Sequence, residues 1–139
     1  DELKSRGLGD VYKRQVHTIS SEKHAKKIDE MSKSINKVMN VCIQINIDNE
    51  QTKGGIMLEE YEKFSSSLHG LQNIRLRGLM TIPRSDIPSE ESFARMYDLY
   101  KNNDYLDTLS MGMSNDFVTA IENGANMLRI GQEIFGKRI

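Results

Sequence analysis

From Val16 onward the chain alternates short β-like runs with amphipathic helical stretches, and this rhythm constrains its fold more than any other feature. VHTI (Val16–Ile19) reads as a strand, and Ser20 or Ser21 ahead of Glu22 opens a helix. Ala25, Ile28, Met31, Ile35 and Val38 recur at helical spacing as one apolar stripe. MNVCIQINI (Met39–Ile47) is a β-branched strand, ended by the turn-rich DNEQTKGG. A helix with Tyr61, Phe64, Leu68 and Leu71 inward follows, with Gly70 helping to stop it. IRLRGLMTI (Ile74–Ile82) is the next strand, closed by Pro83. Ser89, with Glu90 and Glu91 behind it, caps a third helix whose inner face is Phe93, Met96, Tyr97 and Tyr100. LDTLS (Leu106–Ser110) leads through MGMS into a short helix, NDFVTAIEN, that ends at Gly124. NMLRI (Asn126–Ile130) is the last strand, followed by GQEIFG.

Strands and helices in strict alternation predict a parallel sheet with right-handed crossovers. Periodicity alone is shared by a five-stranded doubly wound sheet and by part of a (β/α)8 barrel. Both place their sites at the C-terminal ends of the strands. The search narrows to Asn46–Gly55, Met80–Arg84, Ser110–Asn115 and Arg129–Glu133.

Charge and cysteine content exclude several classes. The length of 139 residues suits one domain with a real core, and the net charge of −1 lacks the basic excess of a general nucleic-acid binder. Lys23, Lys26, Lys27, Lys33 and Lys37 alternate with Glu22, Asp29 and Glu30, which is the pattern of a solvated helix face. A lone Cys42 in the apolar run VCIQINI rules out an internal disulfide, fits a reducing compartment and reads as a buried structural thiol. No apolar run approaches the roughly 18 residues of a membrane span, and the N-terminus has no apolar signal region, so a cytoplasmic protein is expected. H-E-x-x-H, CxxC, Walker and G-x-S-x-G patterns are all missing from the sequence.

Two turns suit an anion. In SMGMSND, Ser110 and Ser114 offer hydroxyls beside a helix N-terminus, and Gly112 allows close approach of the backbone. Ser114 as a simple helix cap is the competing reading. In LRIGQEIFG, Arg129 ends a strand and the N–H groups of Gly131 and Gln132 can hold a phosphate, as barrels often do after their last strands. The competing reading there is an Arg129 ion pair and a turn at Gly131. Lys53, in the glycine-bearing loop, reads as a surface lysine with an anion or imine role as the alternative. His17 reads as a packed or hydrogen-bonded histidine, with a place facing the site as the alternative.

Together, VHTISSEKHAKKI, NVCIQINIDNEQTKGGI, IRLRGLMTIP and LDTLSMGMSNDFVTAIENGANMLRIGQEIFG resemble the YggS/PROSC family of pyridoxal-phosphate homeostasis proteins, from about Val16 to the end. The resemblance implies the C-terminal part, about five β/α units, of a (β/α)8 TIM-type barrel like the alanine racemase N-terminal domain, with helices on the outer face. It implies binding of pyridoxal 5′-phosphate (PLP) without established turnover, in a monomeric parent that buffers the cofactor or delivers it to PLP-dependent apoenzymes. Ser110 would contact the phosphate, with Ser114 nearby. Gly131 and Gln132 would donate to the phosphate, and Arg129 would lie by the pyridine nitrogen. Gln132 departs from the family's small hydroxyl residue, which removes one side-chain bond. Arg129 keeps the nitrogen unprotonated and weakens the electron sink.

The family's early strands, with the lysine that links to the cofactor, are not found. DELKSRGLGDVYKRQ stands in their place, and neither Lys4 nor Lys13 has the family's lysine context. Residues 1–15 are therefore expected to be a foreign leader joined to a truncated gene, and residues 16–139 a partial barrel. Non-covalent cofactor binding and a self-associating fragment follow as expectations. The rival functions are a PLP-dependent racemase or decarboxylase fragment and a flavodoxin-like phosphate-binding domain.

Overall fold

The computed structural model describes residues 16–129. Strands β1 (Val16–Ile19), β2 (Met39–Gln44), β3 (Ile74–Met80), β4 (Thr108–Met113) and β5 (Met127–Arg129) alternate with helices α1 (Glu22–Ser34), α2 (Tyr61–His69), α3 (Glu90–Lys101) and α4 (Phe117–Glu122). All pairings are parallel and the sheet order is β1-β2-β3-β4-β5. A flavodoxin-like sheet would reverse direction and bring β1 inside. Here the winding never reverses, so right-handed crossovers leave every helix on one face and the sheet curls into part of a barrel. The flavodoxin-like alternative is thereby removed.

Register divides the residues between the two faces. Ile19, Ile43, Leu79 and Leu109 align in one row beneath the helices and are at most 1% exposed. With Phe64, Leu68, Phe93, Met96 and Ala120 from the helices they form the core. Each of the larger side chains contributes about 1.5–3 kcal/mol by leaving water, and Ala120 less. The next row, Gln44, Met80, Ser110 and Met127, lies on the concave, helix-free face.

Ser21 caps α1 as expected, its hydroxyl accepting the His24 N–H at 3.1 Å. Ser89 stands at the N-cap of α3, but its hydroxyl makes no capping bond. Tyr97, expected inward, is exposed. Strand ends also shift. β2 stops at Gln44 because the following loop folds back, with Ile56 N–H donating to Gln44 and Asn46 N–H to Ile56. β3 ends at Met80, short of the expected Ile82, and β5 begins at Met127. β4 begins at Thr108, not Leu106, whose N–H closes a turn onto Asn103, and it runs on to Met113, which pairs with Arg129.

The stripe on α1 is only half covered. With about 100° per residue and Ile28 as zero, Ser32 and Ala25 lie near +40° and +60°, whereas Ile35 and Met31 lie near −20° and −60°. Ala25 and Ser32 are buried, but Met31 and Ile35 are each 60% exposed and Val38 is 58% exposed. Asp29, near +100° on the same count, accepts the Asn73 N–H just ahead of β3. The apolar flank therefore faces away from β3, toward the open side of β1, where no described residue covers it. His17 shares that condition: it aligns with the buried Val41 yet stays exposed. That face is opposite Ser110, so His17 does not look into the concave site.

Candidate functional site

The C-terminal ends of β2 to β5 are tied together by one network. Arg129 donates from Nη1 to the Ser110 hydroxyl at 2.6 Å and from Nη2 to the Thr81 carbonyl at 3.0 Å. Thr81 in turn donates from its N–H to the Ser110 carbonyl at 3.1 Å and from Oγ1 to the Ile45 carbonyl at 2.7 Å. Ser110 and Arg129, both expected in the site, are thus brought together. Gly131 and Gln132 lie outside the described residues.

The Arg129 contacts are to neutral acceptors. Among the described residues no carboxylate comes within ion-pair distance of it, so the structural ion pair considered from sequence is absent there. Burial pulls the guanidinium below its ordinary value, and the charge of Asp116 pushes the other way. An arginine stays charged under such shifts. The concave face therefore presents a positive charge, with N–H donors beyond the two used toward described residues. Since Ser110 accepts from Arg129, its own proton is left to give to a ligand.

The turn after β4 behaves differently from the sequence reading. Asp116, not Ser114, is the N-cap of α4, and its carboxylate accepts the Met113 N–H at 2.7 Å. Gly112 adopts φ +109°, and a Cβ there would come within 2.7 Å of Ala120 Cβ and 2.9 Å of Leu128 Cδ2. Glycine is what lets α4 and β5 pack against the strand at that position.

The loop after β2 is more ordered than its composition suggests. Asn46 accepts the Glu50 N–H and donates to the Glu50 and Lys53 carbonyls, which holds Asn49 at φ 56°. Lys53 is tethered: Nζ donates to the Pro83 carbonyl at 3.0 Å and pairs with Glu50 at 3.2 Å. Asp48 accepts from the Arg84 N–H and the Ser92 hydroxyl, joining this loop to the one after β3 and to α3. A cleft of about 410 Å³, lined in part by Lys53, Pro83, Arg84, Ser89, Asn115 and Asp116, opens between these loops. Neither Ser110 nor Arg129 lines it. The sequence reading missed Thr81 and Asp48. Their signal was only that a small polar residue closes a strand.

Cys42 aligns with Gly78 on the concave face but is 1% exposed. Burial pushes its thiol up to about 12, with Asp107 adding and Arg77 opposing. It is an inert thiol, as its apolar setting suggests. No group of metal ligands occurs among the described residues, and none of their helices is long and apolar enough to cross a membrane.

A parallel sheet wound in one direction, with an arginine and a serine joined at the ends of its last two strands, can be compared with known proteins. Residues 6–138 match the family described as alanine racemase, N-terminal domain. The chain belongs to the alanine racemase N-terminal domain family. Within that family it is similar to the pyridoxal phosphate homeostasis proteins, as the sequence resemblance suggested. It is 37% identical to that of Pasteurella multocida over 132 residues and 39% identical to that of Pseudomonas aeruginosa over 130. These alignments cover 88% of this chain but 57% and 55% of the relatives, so the chain spans little more than half their length. PipY of Synechococcus elongatus, solved with PLP bound, superposes with a TM-score of 0.75 at 25% identity, over 86% of this chain and 59% of PipY. Here the family fold is seen as a partial barrel of parallel strands with outer helices.

Proposed function

We propose that this chain carries the anion-holding side of a pyridoxal 5′-phosphate site and serves cofactor homeostasis without catalytic turnover. The observation that supports this best is Arg129, bonded to the Ser110 hydroxyl and the Thr81 carbonyl with its charge unpaired by any described carboxylate. Such a donor set suits a dianionic phosphate and an aromatic nitrogen, so the residues present fit the group. In this reading Ser110, with Ser114 nearby, lies toward the phosphate and Arg129 toward the ring nitrogen, and Gly131 and Gln132, outside the described residues, are assigned to the phosphate from sequence only. The cofactor when bound supplies an electrophilic aldehyde and an electron sink. A permanent cation at the nitrogen disfavours its protonation and blunts that sink, which is the physical argument for storage over catalysis. The racemase or decarboxylase reading needs an acid/base pair that no described group near Ser110 provides.

This reading extends to PLP-dependent apoenzymes as recipients and to a cytoplasmic setting, both in keeping with relatives named for cofactor homeostasis. The division at residue 16, with a leader over 1–15 and a partial barrel over 16–139, belongs to the same proposal, although the family match reaches back to residue 6. Titrating the full chain with PLP tests it, followed by absorbance and by borohydride trapping. Saturable binding with no stoichiometric lysine adduct is expected. Absence of binding would sink the function, and one adduct mapped to a single lysine would overturn the non-covalent reading.

A further inference from the structure

We infer that Thr81 is a positioning residue for the Arg129 guanidinium, an inference that rests on the cofactor reading above. Thr81 lies just past β3, between Ile45, the residue after β2, and Ser110 on β4, and is 0% exposed. It uses three polar groups on three different segments. Oγ1 donates to the Ile45 carbonyl, the N–H donates to the Ser110 carbonyl, and the carbonyl accepts from Arg129 Nη2. The last of these is the only anchor of the guanidinium besides the Ser110 hydroxyl among the described residues.

Two anchors on a planar fork fix its plane, and one leaves it free to rotate about that bond. The Thr81 carbonyl holds its direction because the hydroxyl of the same residue is locked onto Ile45, just past β2. A β-branched side chain has few χ1 states, so this lock is stiff. Because the site is fully buried, no water takes over if the hydroxyl is lost. The Ile45 carbonyl would then lack a donor, and the peptide carrying the Thr81 carbonyl would relax. Arg129 would lose its aim, and Ser110, which accepts from Arg129, would lose the constraint that turns its proton outward. The sequence puts Thr81 in the Met80–Arg84 window but does not mark it for this role, since Arg129 lies 48 positions further on.

The test compares wild type with Thr81→Val, which keeps the shape without the hydroxyl, and Thr81→Ser, which keeps the hydroxyl. Two quantities are read on the full chain: the rate at which phenylglyoxal modifies Arg129, mapped by mass spectrometry, and the dissociation constant for PLP. A net hydrogen bond corresponds to roughly a fivefold effect. Thr81→Val should therefore raise the Arg129 modification rate about fivefold and weaken PLP binding by a similar factor. Thr81→Ser should restore both to within about twofold. A wild-type modification rate in Thr81→Val, or a serine variant that behaves like the valine one, overturns the inference. If wild type binds no PLP, the proposed function fails while the modification rates still decide the role of Thr81. Should Thr81→Val lose its circular-dichroism signature, Thr81→Ala takes its place with the same outcomes.

Discussion

Arg129 on β5 donates to the hydroxyl of Ser110 on β4 across 2.6 Å, with nineteen positions of sequence between them. The bond crosses a break in register. Ser110 pairs with Met127 and Met113 with Arg129, so β4 carries one more residue than β5 over that stretch. The irregularity lets an arginine at the end of one strand reach back to a serine midway along its neighbour. A small donor and a large cation thereby come to share one place on the concave face.

The Arg129–Ser110 pair should carry much of the affinity for PLP. Hydrogen bonds to charged groups contribute about 1.5–3 kcal/mol, or about tenfold to a hundredfold in binding. Arg129→Ala should weaken PLP binding by that range in a fluorescence titration, and Arg129→Lys should not restore it, since an ammonium lacks the planar fork. Full affinity in the lysine variant would show that a point charge suffices.

Cys42 should stay silent toward thiol reagents at pH 8 while the chain is folded, and react on denaturation. The sign of its effect on stability follows from a folded value of about 12 against an ordinary 9.0. A raised value means that the contribution is fully present below 9.0 and is lost as pH rises toward 12. Two pH units into that window correspond to about 2.7 kcal/mol. Urea melts of wild type and Cys42→Ala between pH 8 and 11 should therefore differ in slope, with the alanine variant flatter. Parallel slopes would contradict the burial of the thiol.

At acid pH the informative pair is Arg77, midway along β3, and Asp107, just ahead of β4, joined by three short donor contacts. The bond from Arg77 holds the Asp107 carboxyl below its ordinary 3.8. Its contribution is present above 3.8 and fades as pH falls through the lower folded value. Both side chains are partly exposed, so solvent screening limits the pair to about 1 kcal/mol or less. Asp107→Asn should lower the melting temperature at pH 7 by a few degrees, with the gap narrowing as pH falls below 3.8. A gap that persists at pH 2 would point to packing instead of charge.

The apolar flank of α1 should draw copies of the chain together. Met31, Ile35 and Val38 are each more than half exposed and adjoin the open side of β1. Replacing Met31 with Lys and Ile35 with Glu should shift sedimentation toward the monomer and leave the far-ultraviolet spectrum unchanged. An identical sedimentation profile would clear this flank of any part in association.

Much of the architecture was legible because it depends on local periodicity. Five strands and four helices could be placed from apolar spacing, since an element that must bury one face carries that face in its sequence. Their ends were less legible, because Gln44 and Leu106 are decided by loops that fold back onto them. Ser110 and Arg129 could be nominated as polar residues at strand ends.

What the sequence determined by itself was the alternation of strand and helix, the burial of Cys42 in its apolar run, and the nomination of Ser110 and Arg129 as polar residues at strand ends. Only the tertiary structure decided that the sheet winds one way, that Gly112 yields to Ala120 and Leu128, and that His17 faces away from Ser110. It alone placed Thr81 between Ile45, Ser110 and Arg129. The physical reason is separation along the chain: hydrogen bonds across 19, 36 and 48 positions are made by the register of the sheet, and no local pattern records them.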